Sequence, residues 1–231
     1  MRLSEVGFGL IELMVALALG LLLVLGGTQV FLSARDTYLT QRASAMAQED
    51  ARFFLSKIAQ EIRMVGMFGC LASDRIVDAP SAFQTPIVWQ RNNDLSAWTF
   101  ISASVGVQGV KPDWTVVSDC KTAARAYPGR HFFLAPDEMA FPVQRVIYWF
   151  ENGQVKVGVN KTVLLDNVAA FDMSFGMASS PSSLSVQRYE SAPVDLASIR
   201  SVRINLTLRD PSGRVKDQPY YVVVALRNRL G

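Results

Sequence analysis

The feature that most constrains this chain is residues 13–34, 22 consecutive residues without a charge between Glu12 and Arg35. As a helix this run spans roughly 33 Å at 1.5 Å per residue, enough to cross a hydrocarbon core of about 30 Å. Ahead of it a short polar leader, MRLSEV, closes on Gly7, and one carboxylate, Glu12, sits near the start of the apolar run. An acid on a membrane helix costs about 2.5–3.5 kcal/mol at the bilayer centre and less toward the interface, so Glu12 asks for a partner. A cleavable secretory signal fits less well. Its apolar core has about 7–15 residues ahead of a small-residue cleavage site, and Leu32 is too large for such a site before Arg35. A plain signal anchor needs neither Glu12 nor a leader that closes on glycine.

At 231 residues and 50% hydrophobic, the chain has room for one spanning helix and one globular domain. Its glycine, proline and charge contents are ordinary, which argues against global disorder. The net charge is +3, and Arg2 and Glu5 cancel, so loss of the leader leaves the side-chain balance unchanged. That balance is too mild to imply nucleic acid or an anionic membrane. Arg2 on one side of the apolar run and Arg35-Asp36 on the other give only a weak charge asymmetry for orientation.

Beyond Arg35 the helical pattern continues. Ala51, Leu55, Ile58, Ile62 and Val65 recur at three- and four-residue steps with Phe54 beside them, while Asp50, Arg52, Lys57, Gln60, Glu61 and Arg63 fill the other face. No proline intervenes, and Gly66 and Gly69 are candidate terminators. The pattern predicts one helix over residues 8–65. Gly26-Gly27 allow a loosened turn or a close helix approach. The remainder reads as strands at 86–90, 98–105, 114–120, 144–150, 154–159, 168–177, 201–209 and 220–226. Glu151-Asn152-Gly153 signals a hairpin, and the Ser/Pro-rich segment 178–185 is the candidate mobile loop. Residues 201–209 alternate strictly, and 220–226 read as a more fully buried strand. The expected class is α+β, a long N-terminal helix, apolar then amphipathic, packed on an antiparallel sheet.

Catalytic patterns are missing from this sequence. The one histidine, His131, leaves little for a Ser-His or Cys-His scheme. Asp137-Glu138 lie between Pro136 and Pro142 and read as a solvated loop, and Asn92-Asn93-Asp94 is thin for calcium. No phosphate-cradling or dinucleotide glycine pattern occurs. Arg200, Arg203, Arg209, Arg214, Lys216, Arg227 and Arg229 gather near the C-terminus without aromatic interleaving, more like a solvated sheet face or a subunit contact than a nucleic-acid site. The expectation is a non-catalytic protein with no cofactor, no metal, no small-molecule substrate and no nucleic-acid partner.

The run Gly7-Phe8-Gly9-Leu10-Ile11-Glu12-Leu13-Met14 resembles the N-terminal motif of type IV prepilins and type II secretion pseudopilins. The resemblance implies that a prepilin peptidase cuts between Gly7 and Phe8 and methylates the new amino terminus of Phe8. It also implies that Glu12, fifth from Phe8, pairs with the amino terminus of a neighbouring subunit, turning two isolated charges in low dielectric into one pair. Gly9 departs from the Thr or Ser common there in major pilins. Residues 61–70, EIRMVGMFGC, are similar to the end of the long helix in the PilW group of minor pilins, and 223–229, VVALRNR, to the last strand of PilW and of J-type pseudopilins.

A pilin-like chain would comprise a leader at 1–7, a transmembrane and fibre-core half-helix at 8–34, an amphipathic half at 35–66, and a β-rich periplasmic domain at 67–231. It would sit in the inner membrane with its N-terminus cytoplasmic and move to the pilus tip at the cell surface after assembly. Its partners would be other minor pilins, the major pilin, the prepilin peptidase and a PilY-type adhesin. A periplasmic domain would favour a disulfide between Cys70 and Cys120; two buried free thiols are the alternative. The competing readings are a J-type pseudopilin and an anchored periplasmic binding module unrelated to fibres.

Overall fold

The computed structural model describes residues 9–92, 95–104 and 111–228. It contains one long helix, α1 (Leu10–Met64), followed by twelve strands. The chain divides between Met46 and Ala47 into two compact units.

In the first unit, residues 10–46 of α1 leave their side chains almost entirely exposed. The helix is long and apolar enough to cross a membrane. Three of its hydroxyls are satisfied internally: Thr28, Thr37 and Thr40 donate to the carbonyls of Val24, Ser33 and Asp36 at 2.7, 2.9 and 2.9 Å. Such bonds remove donors that hydrocarbon could not satisfy. A side chain placed on Gly26 or Gly27 would meet nothing within 4 Å, so no packing within the chain requires either glycine.

In the second unit α1 continues to Met64, burying Ala51, Phe54, Ile58, Ala59 and Ile62. This is the predicted apolar stripe, with Leu55 only half buried. The helix ends because Gly66 takes a left-handed φ of 76°, where a Cβ is costly. Gly69 is not a terminator. A Cβ there would lie 3.5 Å from both Phe141 and Val116, an ordinary contact distance, so the residue lies beside the strands that carry them.

The strands form two sheets rather than one. The larger comprises β1 (Ile76–Val77), β2 (Ile87–Asn92), β3 (Leu95–Ala103), β4 (Trp114–Ser118), β5 (Ala124–Pro128), β6 (Met139–Glu151), β7 (Gln154–Val157) and β8 (Thr162–Leu165). Its order is β1-β5-β4-β6-β3-β2, with β7 pairing β6 and β8 pairing β7. The 13-residue β6 is its spine: β3 runs along one edge, while β4 and β7 take the two ends of the other. All pairs are antiparallel except β1 with β5, which is parallel. The smaller sheet comprises β9 (Val168–Ala178), β10 (Val186–Glu190), β11 (Ile199–Leu208) and β12 (Gln218–Ala225), in the order β10-β9-β11-β12. The arrangement is α+β. Four of these strands, β1, β5, β8 and β10, were not expected.

One core joins α1 to both sheets. Phe171 of β9 meets Phe54 of α1, Trp98 of β3 and Phe150 of β6 edge-on, at centroid distances of 5.4, 5.1 and 6.2 Å. Full burial of such rings stabilises by about 1.5–3 kcal/mol each. A second, smaller core beyond the helix end stacks Phe68 on Phe83 at 3.9 Å and includes Val116 and Val143. The Asn152-Gly153 turn forms as expected, both residues at positive φ (53° and 69°), the geometry of a two-residue hairpin.

Two expectations are corrected. β12 is not a buried strand. It is the outer strand of its sheet, and its residues alternate, with only Val224 fully covered. The Ser/Pro segment expected to be mobile is instead gathered around one cation. Arg200 donates to the carbonyls of Ser183, Pro181, Ala197 and Ile199 at 2.7, 2.6, 2.7 and 2.9 Å. Arg200 is therefore a loop-holding residue, not part of a solvated arginine face.

Candidate functional site

The sequence places the candidate chemistry at the start of α1. Gly7 and Phe8, the proposed cleavage and methylation residues, lie outside the described residues. Gly9 is the helix N-cap: its carbonyl accepts from Glu12 N at 3.1 Å and Leu13 N at 3.3 Å. The Glu12 carboxylate reaches back to the Gly9 amide, Oε2 accepting at 3.0 Å. This is the acid-side half of a capping box, with the negative charge at the positive end of the helix dipole. Glu12 is exposed and no cation pairs with it among the described residues. The acid is thus held at the helix start by the neutral Gly9 amide.

At the other end of α1 the chain is tied to the sheets by covalent and polar contacts. Cys70 and Cys120 form a disulfide with Cα atoms 5.4 Å apart. It joins the segment after the helix to the β4–β5 turn, where Cys120 adopts a φ of 56°. Asp119 builds that turn: its carboxylate accepts from the amides of Lys121, Thr122 and Ala123 at 2.8, 2.9 and 3.0 Å and from the Thr122 hydroxyl at 2.7 Å. The amide donors of Ala123, Lys121 and Thr122 hold its pKa well below the usual carboxylate range. The Asp210 carboxyl is lowered to about 2 in the same way, by the Ser212 hydroxyl and amide in the β11–β12 turn.

Glu61 was expected on the solvent face, and the structure uses it differently. The fully buried Tyr148 of β6 donates to Glu61 Oε2 at 2.6 Å, and Lys57 donates to Oε1 at 2.8 Å. Burial, and then the facing carboxylate, push the Tyr148 pKa well above that of a free phenol. The arrangement is a latch between helix and sheet. Tyr148→Phe keeps the ring and removes the hydroxyl, so the domain is expected to lose about 1.5–3 kcal/mol, the worth of a hydrogen bond to a charged group. Chemical denaturation of both proteins checks this, as a lower midpoint at unchanged slope.

The other candidates do not converge. His131 stacks on Tyr127 at 3.9 Å, and its backbone amide donates to Thr115 Oγ1 at 3.3 Å. Asp137 and Glu138 stay in a loop where Glu138 accepts from the Ala135 amide at 2.8 Å. Asn93 and Asp94 lie outside the described residues. Among the described residues no group of three His, Cys, Asp or Glu is placed to hold a metal. Within the arginine group, Arg209 pairs with Asp217 at 3.2 Å and Arg203 lies 3.7 Å over the Tyr189 ring; Arg229 lies outside the described residues. No protein-family model, curated protein or solved structure matches the chain.

Proposed function

We propose that this chain is a non-catalytic minor pilin of the PilW type, made as a prepilin and anchored in the inner membrane before assembly. The observation that carries the reading is the run GFGLIELM, with Glu12 in the first turn of a helix that is apolar for its first half and packs a domain with its second. In this reading the peptidase cuts between Gly7 and Phe8 and methylates Phe8. The leader stays cytoplasmic and the domain faces the periplasm, where the Cys70–Cys120 bridge is stable. Glu12, held among the described residues by the neutral Gly9 amide, exchanges that contact for the amino terminus of a neighbouring subunit when the helix enters the fibre. The apolar half-helix then leaves lipid for a core of similar helices. The protein joins other minor pilins in priming assembly on the major pilin, and at the tip it supports a PilY-type adhesin.

A J-type pseudopilin of a type II secretion system is the second reading. The likeness of residues 223–229 to both groups favours it as much as the first, and the Gly69-Cys70 pair favours the pilus. The processing step separates both from an anchored binding module. Gly7→Val is expected to leave an unprocessed chain, heavier by the leader, in an intact-mass comparison with wild type. Normal cleavage in that variant contradicts the proposed site.

A further inference from the structure

The strand β12 has the composition of a covered strand in the position of an uncovered one. Its run Tyr220-Tyr221-Val222-Val223-Val224-Ala225 carries no charge, yet β12 is the last strand of its sheet. Proteins normally blunt such edges with charge, shortness or a bulge, because an open row of N–H and C=O groups is a template for another chain. The other terminal strands follow that rule. β1 has two residues and β8 four. β10 carries Arg188 and Glu190, and its register shifts between Val186 and Arg188. β2 closes on Arg91 and Asn92. On β12 the one such device is Pro219, near its start, which has no N–H to offer.

The ladder with β11 fixes which backbone groups are open. Leu226 N donates to Arg200 O at 2.9 Å, and the register continues with Ala225 opposite Ser201, Val224 opposite Val202 and Val223 opposite Arg203. Along an antiparallel pair, residues alternate between bonding the partner strand and pointing away from it. Val224 and Val222 therefore bond β11 as Leu226 does, while Tyr221, Val223 and Ala225 turn their N–H and C=O groups outward. The side chains beside this edge are also short of cover. Tyr220, Val222 and Leu226 pack on the core but stay only partly buried. On the opposite face Tyr221 is 77% and Val223 46% exposed.

We infer that β12 is a docking edge that takes one extended segment of a different subunit as a fifth strand of the smaller sheet. The open groups specify the occupant. It is an uncharged stretch of about five residues, roughly 17 Å of extended chain, whose backbone meets Tyr221, Val223 and Ala225. One face of the segment is apolar and covers Tyr220 and Val222. The other carries β-branched or aromatic residues that lie beside Tyr221 and Val223. Main-chain bonds hold such a segment, and the alternate side chains select it. The inference deepens the fibre reading and rests on it for the source of the strand, a neighbouring subunit.

The test is hydrogen exchange on the full-length chain, compared alone in detergent and in the complex isolated from its own membrane. The amides of Tyr221, Val223 and Ala225 are expected to exchange at least about tenfold more slowly in the complex. Val223→Pro deletes an outward N–H that β11 does not use, so the unfolding midpoint is expected to hold. Complex yield is expected to fall about tenfold, the worth of roughly one ladder hydrogen bond. Tyr221→Lys places a charge on the same edge without touching the backbone, and is expected to act alike. A photo-cross-linking residue in place of Tyr221 then locates the added strand, expected in an uncharged segment of a different pilin-like subunit. Unprotected edge amides, wild-type complex yield in both variants, or an adduct with lipid or with a second copy of this chain overturns the inference. An unprotected edge with normal Gly7-dependent processing rejects the added strand and leaves the prepilin reading in place. Normal cleavage of Gly7→Val with a protected edge does the reverse.

Discussion

Glu12→Ala is expected to leave processing at Gly7 intact and to reduce incorporation into the fibre by a factor on the order of 10²–10⁴. The size follows from the environment. In the single chain Glu12 accepts from the Gly9 amide, and alanine loses only a capping contact, worth about 1 kcal/mol. In a fibre core the same change would leave a neighbouring amino terminus charged and unpaired in low dielectric. Removing one partner of a buried pair costs about 3–5 kcal/mol, which gives the stated factor. Glu12→Gln keeps the capping acceptor but not the charge, so it separates the two roles. It is expected to match wild type in the isolated chain and alanine in assembly. Sheared-fibre yield, with membrane-fraction mass spectrometry for processing, reads both variants. Normal assembly of Glu12→Gln contradicts the charge-pairing account.

The second large effect concerns the Cys70–Cys120 bridge. It closes a separation of 50 residues, for which the chain-entropy account gives about 4 kcal/mol. Its position adds a local consequence. Beyond Met64 the chain is held by Gly66 N donating to Ile101 O at 3.1 Å and Ala103 N donating to Met67 O, and then by the disulfide. The paired substitution Cys70→Ser with Cys120→Ser is expected to lower stability by about 4 kcal/mol in thermal or denaturant unfolding. Hydrogen exchange is expected to rise first at residues 66–72 and 119–123. An unchanged midpoint contradicts the assignment of the bridge as the tie for this segment.

The legible parts of the fold were those with strong local period. The stripe from Ala51 to Val65 fixed which side of α1 is buried, and Glu151-Asn152-Gly153 announced the β6–β7 turn. What was missed depends on distant partners. β1 has two residues and exists through its pairing with β5, so no periodicity could announce it. The VVVA run of β12 reads as buried in isolation, yet it is the outermost strand of its sheet and alternates. Glu61 looked solvent-facing because its partner, Tyr148, is 87 residues away. Arg200 looked like one of many surface cations; besides the nearby carbonyls of Ala197 and Ile199, the return of the loop around 180–183 brings it those of Pro181 and Ser183. At the candidate site, Glu12 at the helix start was legible as a local pattern, and the cysteine bridge was legible because the chain has two cysteines and an expected oxidising compartment.

Deletion of the gene, scored in one strain for twitching with sheared-pilus yield and for exoprotein release, tests the minor-pilin account most directly. The account predicts loss of pili with normal secretion. Normal pili with exoproteins retained in the periplasm would contradict it in favour of a secretion pseudopilin, and a strain with neither defect would contradict both.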